Sequence, residues 1–134
     1  MGHTIHPVVV IAPLGLWGSA TVLDVVGGPD AASAARRLTL AGLLAITPAV
    51  ITGLVEWTST GPRDSRVGVV HAAVNTVAAV LFAGSYWARG SRRPLGIGLG
   101  LAGNAVAGIG GYFGGHLAAA RHVGSRHAAF ADSS

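Results

Sequence analysis

The chain has 134 residues, enough for one domain, and only 10% of them are charged, where a soluble domain carries about a quarter. It has no cysteine, which excludes disulfides, thiolate metal sites and thiolate-held iron–sulfur clusters within the chain. The net charge of +4 comes from nine arginines with no lysine, set in short groups between apolar runs, a scatter that argues against nucleic acid as a partner.

The N-terminus reads MGHTIHPVVVIAPLGLWG, with no basic residue before the apolar run. A retained membrane segment is expected there, not a cleavable signal peptide. This first helix is expected over about 7–26. Pro7 stands at its mouth, where a missing N–H costs least, and Pro13 is placed to kink or loosen it. Asp24 lies near its far end, and Gly27, Gly28, Pro29 and Asp30 make a turn. The second helix is expected over about 36–57, from Arg36 and Arg37 to Glu56 and Trp57. Pro48 in its middle is tolerated in a membrane when neighbours satisfy the freed carbonyl. A short polar loop follows over 58–65. The third helix is expected over about 66–88, with Tyr86 and Trp87 at its end, suited to the headgroup layer. Arg89 to Pro94 form a basic turn. The fourth helix is expected over about 95–120, uncharged and crowded with glycine. Residues 121–134 are a polar tail.

Short connections make successive helices antiparallel neighbours. The expected fold is therefore all-α: a single membrane domain, 1–134, built as an up-down-up-down four-helix bundle in a lipid bilayer. Both termini then share one side with Arg63, Arg66, Arg121 and Arg126, while Arg36, Arg37, Arg89, Arg92 and Arg93 lie on the other. The counts are close. The tight group Arg89, Arg92 and Arg93 favours termini on the outer face of a bacterial inner membrane.

This topology brings all six histidines, His3, His6, His71, His116, His122 and His127, to the side of the termini, at the level of Glu56. His122 and His127 sit in the polar tail and read as solvated. His71 and His116 fall within helices, where ionisable side chains are rare and usually face the bundle interior or a functional pathway. Asn75 is one turn from His71, on the same face. Two stripes run along the fourth helix: Gly103, Ala107, Gly111 and Gly115, and beside them Gly100, Asn104, Gly108, Tyr112 and His116.

Three functions fit these residues. In the leading one, His71 and His116 are axial ligands of a b-type haem lying against the face that carries Gly108 and Gly111. His6 or His3 are reserve ligands, and Asn75 and Glu56 orient the ligands. The same end could instead hold a Zn or non-haem Fe ion through His71, His116, His6 and Glu56. With one histidine layer, such a protein is a one-sided carrier, sensor or haem-holding subunit, not an electron wire across the bilayer. In the second reading the glycine stripes are a helix–helix or homodimer interface of a cofactor-free structural or assembly subunit, and Asn75 makes an ordinary interhelical hydrogen bond. A small transporter or proton path ranks third, because the far leaflet lacks a chain of ionisable groups. No nucleophile elbow, phosphate loop or paired carboxylate is present, so a carrier or binding protein is expected, not a hydrolase or transferase.

The stretches GHTIHP, GLLAITPAVITGLVEW, RVGVVHAAVN and GGYFGGHLAAARHVG resemble a widespread, uncharacterised bacterial family of small four-helix membrane proteins. Its members open with Gly-His-Pro-x-His-Pro, carry His-Ala-x-x-Asn on the third helix, and close with Gly-Gly-x-Leu or Gly-Gly-His-Leu. Here Thr4 stands where proline is usual, and the closing motif departs after Arg121. The resemblance covers most of the chain. It implies that the recurrent polar residues are His3, His6, His71, Asn75 and His116. Some relatives are joined to Rieske-type iron–sulfur domains, which implies a redox neighbourhood and a redox partner protein.

Overall fold

The computed structural model describes residues 5–57 and 62–120, and for residues 56, 62–67 and 116–120 the backbone alone. The helices are α1 (His6–Val9), α2 (Ile11–Val26), α3 (Ala32–Trp57), α4 (Pro62–Ala88) and α5 (Arg93–Ala120). Consecutive α1 and α2 act as one span, His6–Val26, so the described residues hold four helices long and apolar enough to cross a membrane. The break falls at Val10, where Leu14 N reaches Val10 O at 3.4 Å. Pro13, with no N–H to give, leaves Val9 O without its helical donor and loosens this turn. Both α3 and α4 begin about a turn earlier than the sequence suggested. Arg36 and Arg37 thus lie inside α3, and Pro62 opens α4, where the missing N–H would have had no partner.

The turn between α2 and α3 requires Gly28, whose φ of +60° L side chains rarely adopt. Pro29–Ala31 then forms a single 3-10 turn into α3. Helices α4 and α5 pack most extensively, α2 and α3 next, and contacts of α3 with α4 and of α2 with α5 close the ring. The bundle is thus two antiparallel hairpins laid side by side.

The α4–α5 hairpin is built on close approach. The small residues Gly96, Gly100, Gly103, Ala107 and Gly110 of α5 are buried, and Gly114 continues the series. Steps of four and three alternate along it, a 3.5-residue period that keeps a seam facing an antiparallel neighbour. Large side chains of α4 fill the hollows. A Cβ at Gly103 would stand 2.9 Å from the Phe82 ring, one at Gly110 2.8 Å from the Asn75 amide, and one at Gly114 2.9 Å from His71 Cε1. Farther along, Arg89 and Ser85 lie over Gly96 and Gly100.

This seam corrects the expected stripes. Residues four apart advance 40° per step round a 3.6-residue helix and wind off the neighbour, whereas the alternating spacing stays on it. Gly108, Gly111 and Gly115 therefore lie exposed on the outer surface, with nothing within 4 Å of an added Cβ.

At mid-height the two hairpins meet through Trp17 and Phe82, stacked with ring centroids 3.8 Å apart and an interplanar angle of 12°. The indole sits over Gly42, and Trp17 Nε1 donates to Thr39 O at 3.2 Å. Such a pair adds about 0.5–1.5 kcal/mol beyond its buried area. The outer surface carries Val22, Val25, Leu44, Ile51, Val55, Val77, Val80, Leu101 and Ile109, all exposed. A ring of such residues suits lipid, with no water needed to satisfy the helical backbone.

Gly103→Leu puts a branched side chain into the Phe82 ring and should destabilise the bundle by about 1–3 kcal/mol. Gly111→Leu should leave stability unchanged. Thermal unfolding in detergent, followed by helical circular dichroism, separates the two.

Candidate functional site

Polar side chains gather at both ends of the bundle. At the end nearer the termini, His6 opens α1, one residue ahead of the expected start at Pro7. His6 Nδ1 lies 2.8 Å from Ala49 O and 3.3 Å from Thr52 Oγ1. A carbonyl only accepts, so Nδ1 carries the proton and Nε2 is the lone-pair nitrogen. The imidazole rests on Gly53, whose added Cβ would stand 3.0 Å from Cε1.

His71 is held in the same manner. Its Nδ1 donates to Gly110 O at 2.9 Å, which again makes Nε2 the lone-pair nitrogen. Asn75 Nδ2 donates to His71 O at 2.8 Å and lies 3.3 Å from His71 Nε2. Asn75 Nδ2 is equally 3.3 Å from His71 Nδ1, so it lies beside the imidazole without singling out either ring nitrogen. The His6 and His71 rings face each other edge-on, with centroids 6.1 Å apart and an interplanar angle of 82°.

The structure thus brings His71 together with His6, the residue expected only in reserve. Glu56 and His116 are helical in backbone, and their side chains lie outside the described residues, as do His3, His122 and His127. Gly108 and Gly111, expected to wall a cofactor, face outward, away from the seam that carries His71. Among the described residues no group of three or more His, Cys, Asp or Glu side chains could hold a metal ion.

The opposite end holds a second centre that sequence reasoning passed over. Asp24 of α2 and Arg89, just past α4, form a two-pronged ion pair: Nη1 to Oδ1 at 2.8 Å and Nη2 to Oδ2 at 2.6 Å. Their side chains are only 2% and 3% exposed. Arg89 Nε donates to Ser85 Oγ at 3.1 Å, and Ser85 Oγ donates to Gly96 O at 2.6 Å. Two further arginines cap helix ends: Arg93 donates to Gly28 O at 2.9 Å, and Arg36 donates to Tyr86 O at 3.2 Å while lying over the Tyr86 ring. Below them, Asn104 Nδ2 donates to Thr21 Oγ1 at 2.7 Å. The signal in the sequence was Asp24 itself. A carboxylate near the end of an apolar run needs a cation, and Arg89 heads the basic turn on the same side.

Four apolar spans, a lipid-compatible outer surface and, among the described residues, charged groups confined to the two ends define an integral membrane protein. Residues 2–127 match the family model DUF2231, described as a predicted membrane protein, and the chain belongs to that family. No curated protein and no solved structure matches it.

Replacing Asp24 by Asn leaves Arg89 buried without its counter-charge and should cost about 3–5 kcal/mol. Asp24→Leu combined with Arg89→Met removes both charges and should recover most of that loss. Melting temperatures of the detergent-solubilised variants check both statements.

Proposed function

We propose that this protein binds a metal in an electron-transfer setting, with His6 and His71 as paired imidazole ligands to one metal, haem iron in first place. The observation that carries the proposal is the pairing itself. Two imidazoles from separate hairpins have their Nδ1 protons committed to backbone carbonyls, the arrangement that orients Nε2 as a ligand. Their centroids are 6.1 Å apart. Two imidazoles on one metal have centroids about 5 Å apart at a tetrahedral angle and about 6.3 Å apart on opposite sides of it, given a metal–nitrogen bond near 2.0–2.1 Å. Haem b and a single Zn or Fe ion share this ligand chemistry. Glu56, His116 and His3 are the candidates to complete it, and a redox protein is the partner this role calls for.

A second reading has its own observation. Each imidazole already joins two helices, through one carbonyl bond and one glycine contact. A cofactor-free structural or assembly subunit needs no more of them than that.

The test is the visible spectrum, oxidised and reduced, with metal analysis, on protein prepared with haem and metals supplied. A Soret band lost in His6→Ala and in His71→Ala identifies haem. Stoichiometric metal without that band, lost in the same variants, identifies a single ion. Colourless, metal-free protein overturns the proposal and leaves the structural reading.

The arginine-rich end belongs on the cytoplasmic side of a bacterial inner membrane, with the histidine end outside. Because the chain has no cysteine, single Ser59→Cys and Ser91→Cys variants report the orientation directly. In whole cells a membrane-impermeant maleimide should label the first and spare the second.

A further inference from the structure

The buried positions of the two hairpins correspond at a fixed separation along the chain. Adding 65 to the buried Pro13, Trp17 and Ala20 of α2 gives Ala78, Phe82 and Ser85, which are buried in α4. Adding 61 to the buried Ala35, Thr39, Gly42 and Ala49 of α3 gives Gly96, Gly100, Gly103 and Gly110, which are buried in α5. The difference of four residues is absorbed in the turn joining the two helices of each hairpin.

The contacts correspond as well. His6 donates to Ala49 O at 2.8 Å, and its counterpart His71 donates to Gly110 O at 2.9 Å. His6 rests on Gly53 and His71 on Gly114; Trp17 rests on Gly42 and Phe82 on Gly103. Each pair follows the same two offsets.

Counterparts on the first helix of each hairpin also meet one another. His6 faces His71 at 6.1 Å between centroids, Trp17 stacks on Phe82 at 3.8 Å, and Asp24 pairs with Arg89 at 2.6 Å. In a two-fold assembly, a residue that touches its own counterpart lies on the axis. Three such contacts, spread from one end of the bundle to the other, define an axis along its length, as in membrane proteins built from parallel repeats.

We infer that the chain is two copies of one helical hairpin joined end to end, and that each half docks on the other through the surface by which that hairpin paired with a second copy of itself. The ion pair sits where identical residues would conflict. Two aspartates or two arginines buried on the axis would repel, so opposite charges there favour the pairing of unlike halves and disfavour the pairing of like ones. A metal held between His6 and His71 would lie on this axis and take one nitrogen from each half. That last statement alone rests on the proposed function.

The test exchanges counterparts within the full chain. Arg89 at its present place needs bare positions opposite it: a Cβ at Gly96 would stand 2.5 Å from Arg89 Cγ, and one at Gly100 3.2 Å from both Arg89 Nη2 and Ser85 Oγ. The counterparts of these glycines are Ala35 and Thr39. Asp24→Arg with Arg89→Asp should therefore restore the charge pair but crowd the new arginine. Full exchange adds Ala20→Ser, Ala35→Gly and Thr39→Gly with Ser85→Ala, Gly96→Ala and Gly100→Thr. It should melt above the charge swap alone, close to the parent, without metal or haem added. A full exchange that folds but melts no higher than the charge swap overturns the inference. If the full exchange does not fold, Trp17→Phe with Phe82→Trp decides. Parent-like melting, with the indole introduced at position 82 donating to Gly100 O, supports the two-fold relation. A loss equal to the sum of the two single substitutions overturns it. Since melting is read on metal-free protein, failure here is distinct from failure of the metal-binding proposal.

Discussion

Everything in this bundle depends on how closely α5 approaches α4. Between lipid-solvated helices there is little hydrophobic force, so association comes from packing and polar contacts. Glycines at Gly96, Gly100, Gly103, Gly110 and Gly114 remove the side chains that would hold the helices apart. Phe82, Asn75 and His71 then reach the opposing backbone. The His71–Gly110 bond and the Ser85–Gly96 bond are direct products of that proximity. A side chain long enough to span an ordinary helix–helix gap would be needed to make either of them otherwise. The glycine seam and the polar contacts are thus one device. Bare backbone supplies carbonyl acceptors, and the side chains opposite supply donors.

The first hairpin uses the same device with fewer glycines. Gly42 admits the Trp17 indole, and Gly53 admits the His6 ring. The approach at the mouth is as close as in the second hairpin, although Pro13 loosens the helix at Val10. The aromatic stack between Trp17 and Phe82 then locks one hairpin to the other at mid-height, and the Asp24–Arg89 pair does so at one end. A buried ion pair adds little net stability over apolar residues of the same shape, because desolvation offsets attraction. Its stronger effect is on geometry: two prongs fix the rotation of α2 against α4 about their shared contact.

Much of the fold was legible because membranes make sequence patterns simple. Four long apolar runs with short polar connections leave one all-α answer, and the helices fall where those runs fall. The ends were less legible. Arg36 and Arg37 read as a boundary, yet an arginine can sit within a helix and reach a carbonyl at the end of a neighbouring one, as Arg36 does at Tyr86. At the site, His71 and Asn75 were legible through their four-residue spacing. The partner of His71 was not, since that depends on which faces of α1 and α4 turn toward each other. The glycine stripes divide between two faces: a row of small residues every four positions spirals round the helix, so Gly103 and Ala107 line the seam with α4 while Gly108, Gly111 and Gly115 are exposed. Asp24 was seen but not matched with Arg89, because the two lie far apart in sequence.

The stack of Trp17 on Phe82 has an electrical consequence. Both rings are almost wholly buried, at 4% and 2% exposure, and they separate the imidazole pair from the Asp24–Arg89 end. An apolar plug between two polar ends acts as the dielectric of a capacitor. Most of a transmembrane voltage falls across such a layer, and moving one elementary charge through it works against about 2.3 kcal/mol per 100 mV. A charge passing from the imidazole pair to the Asp24–Arg89 end would have to cross this layer.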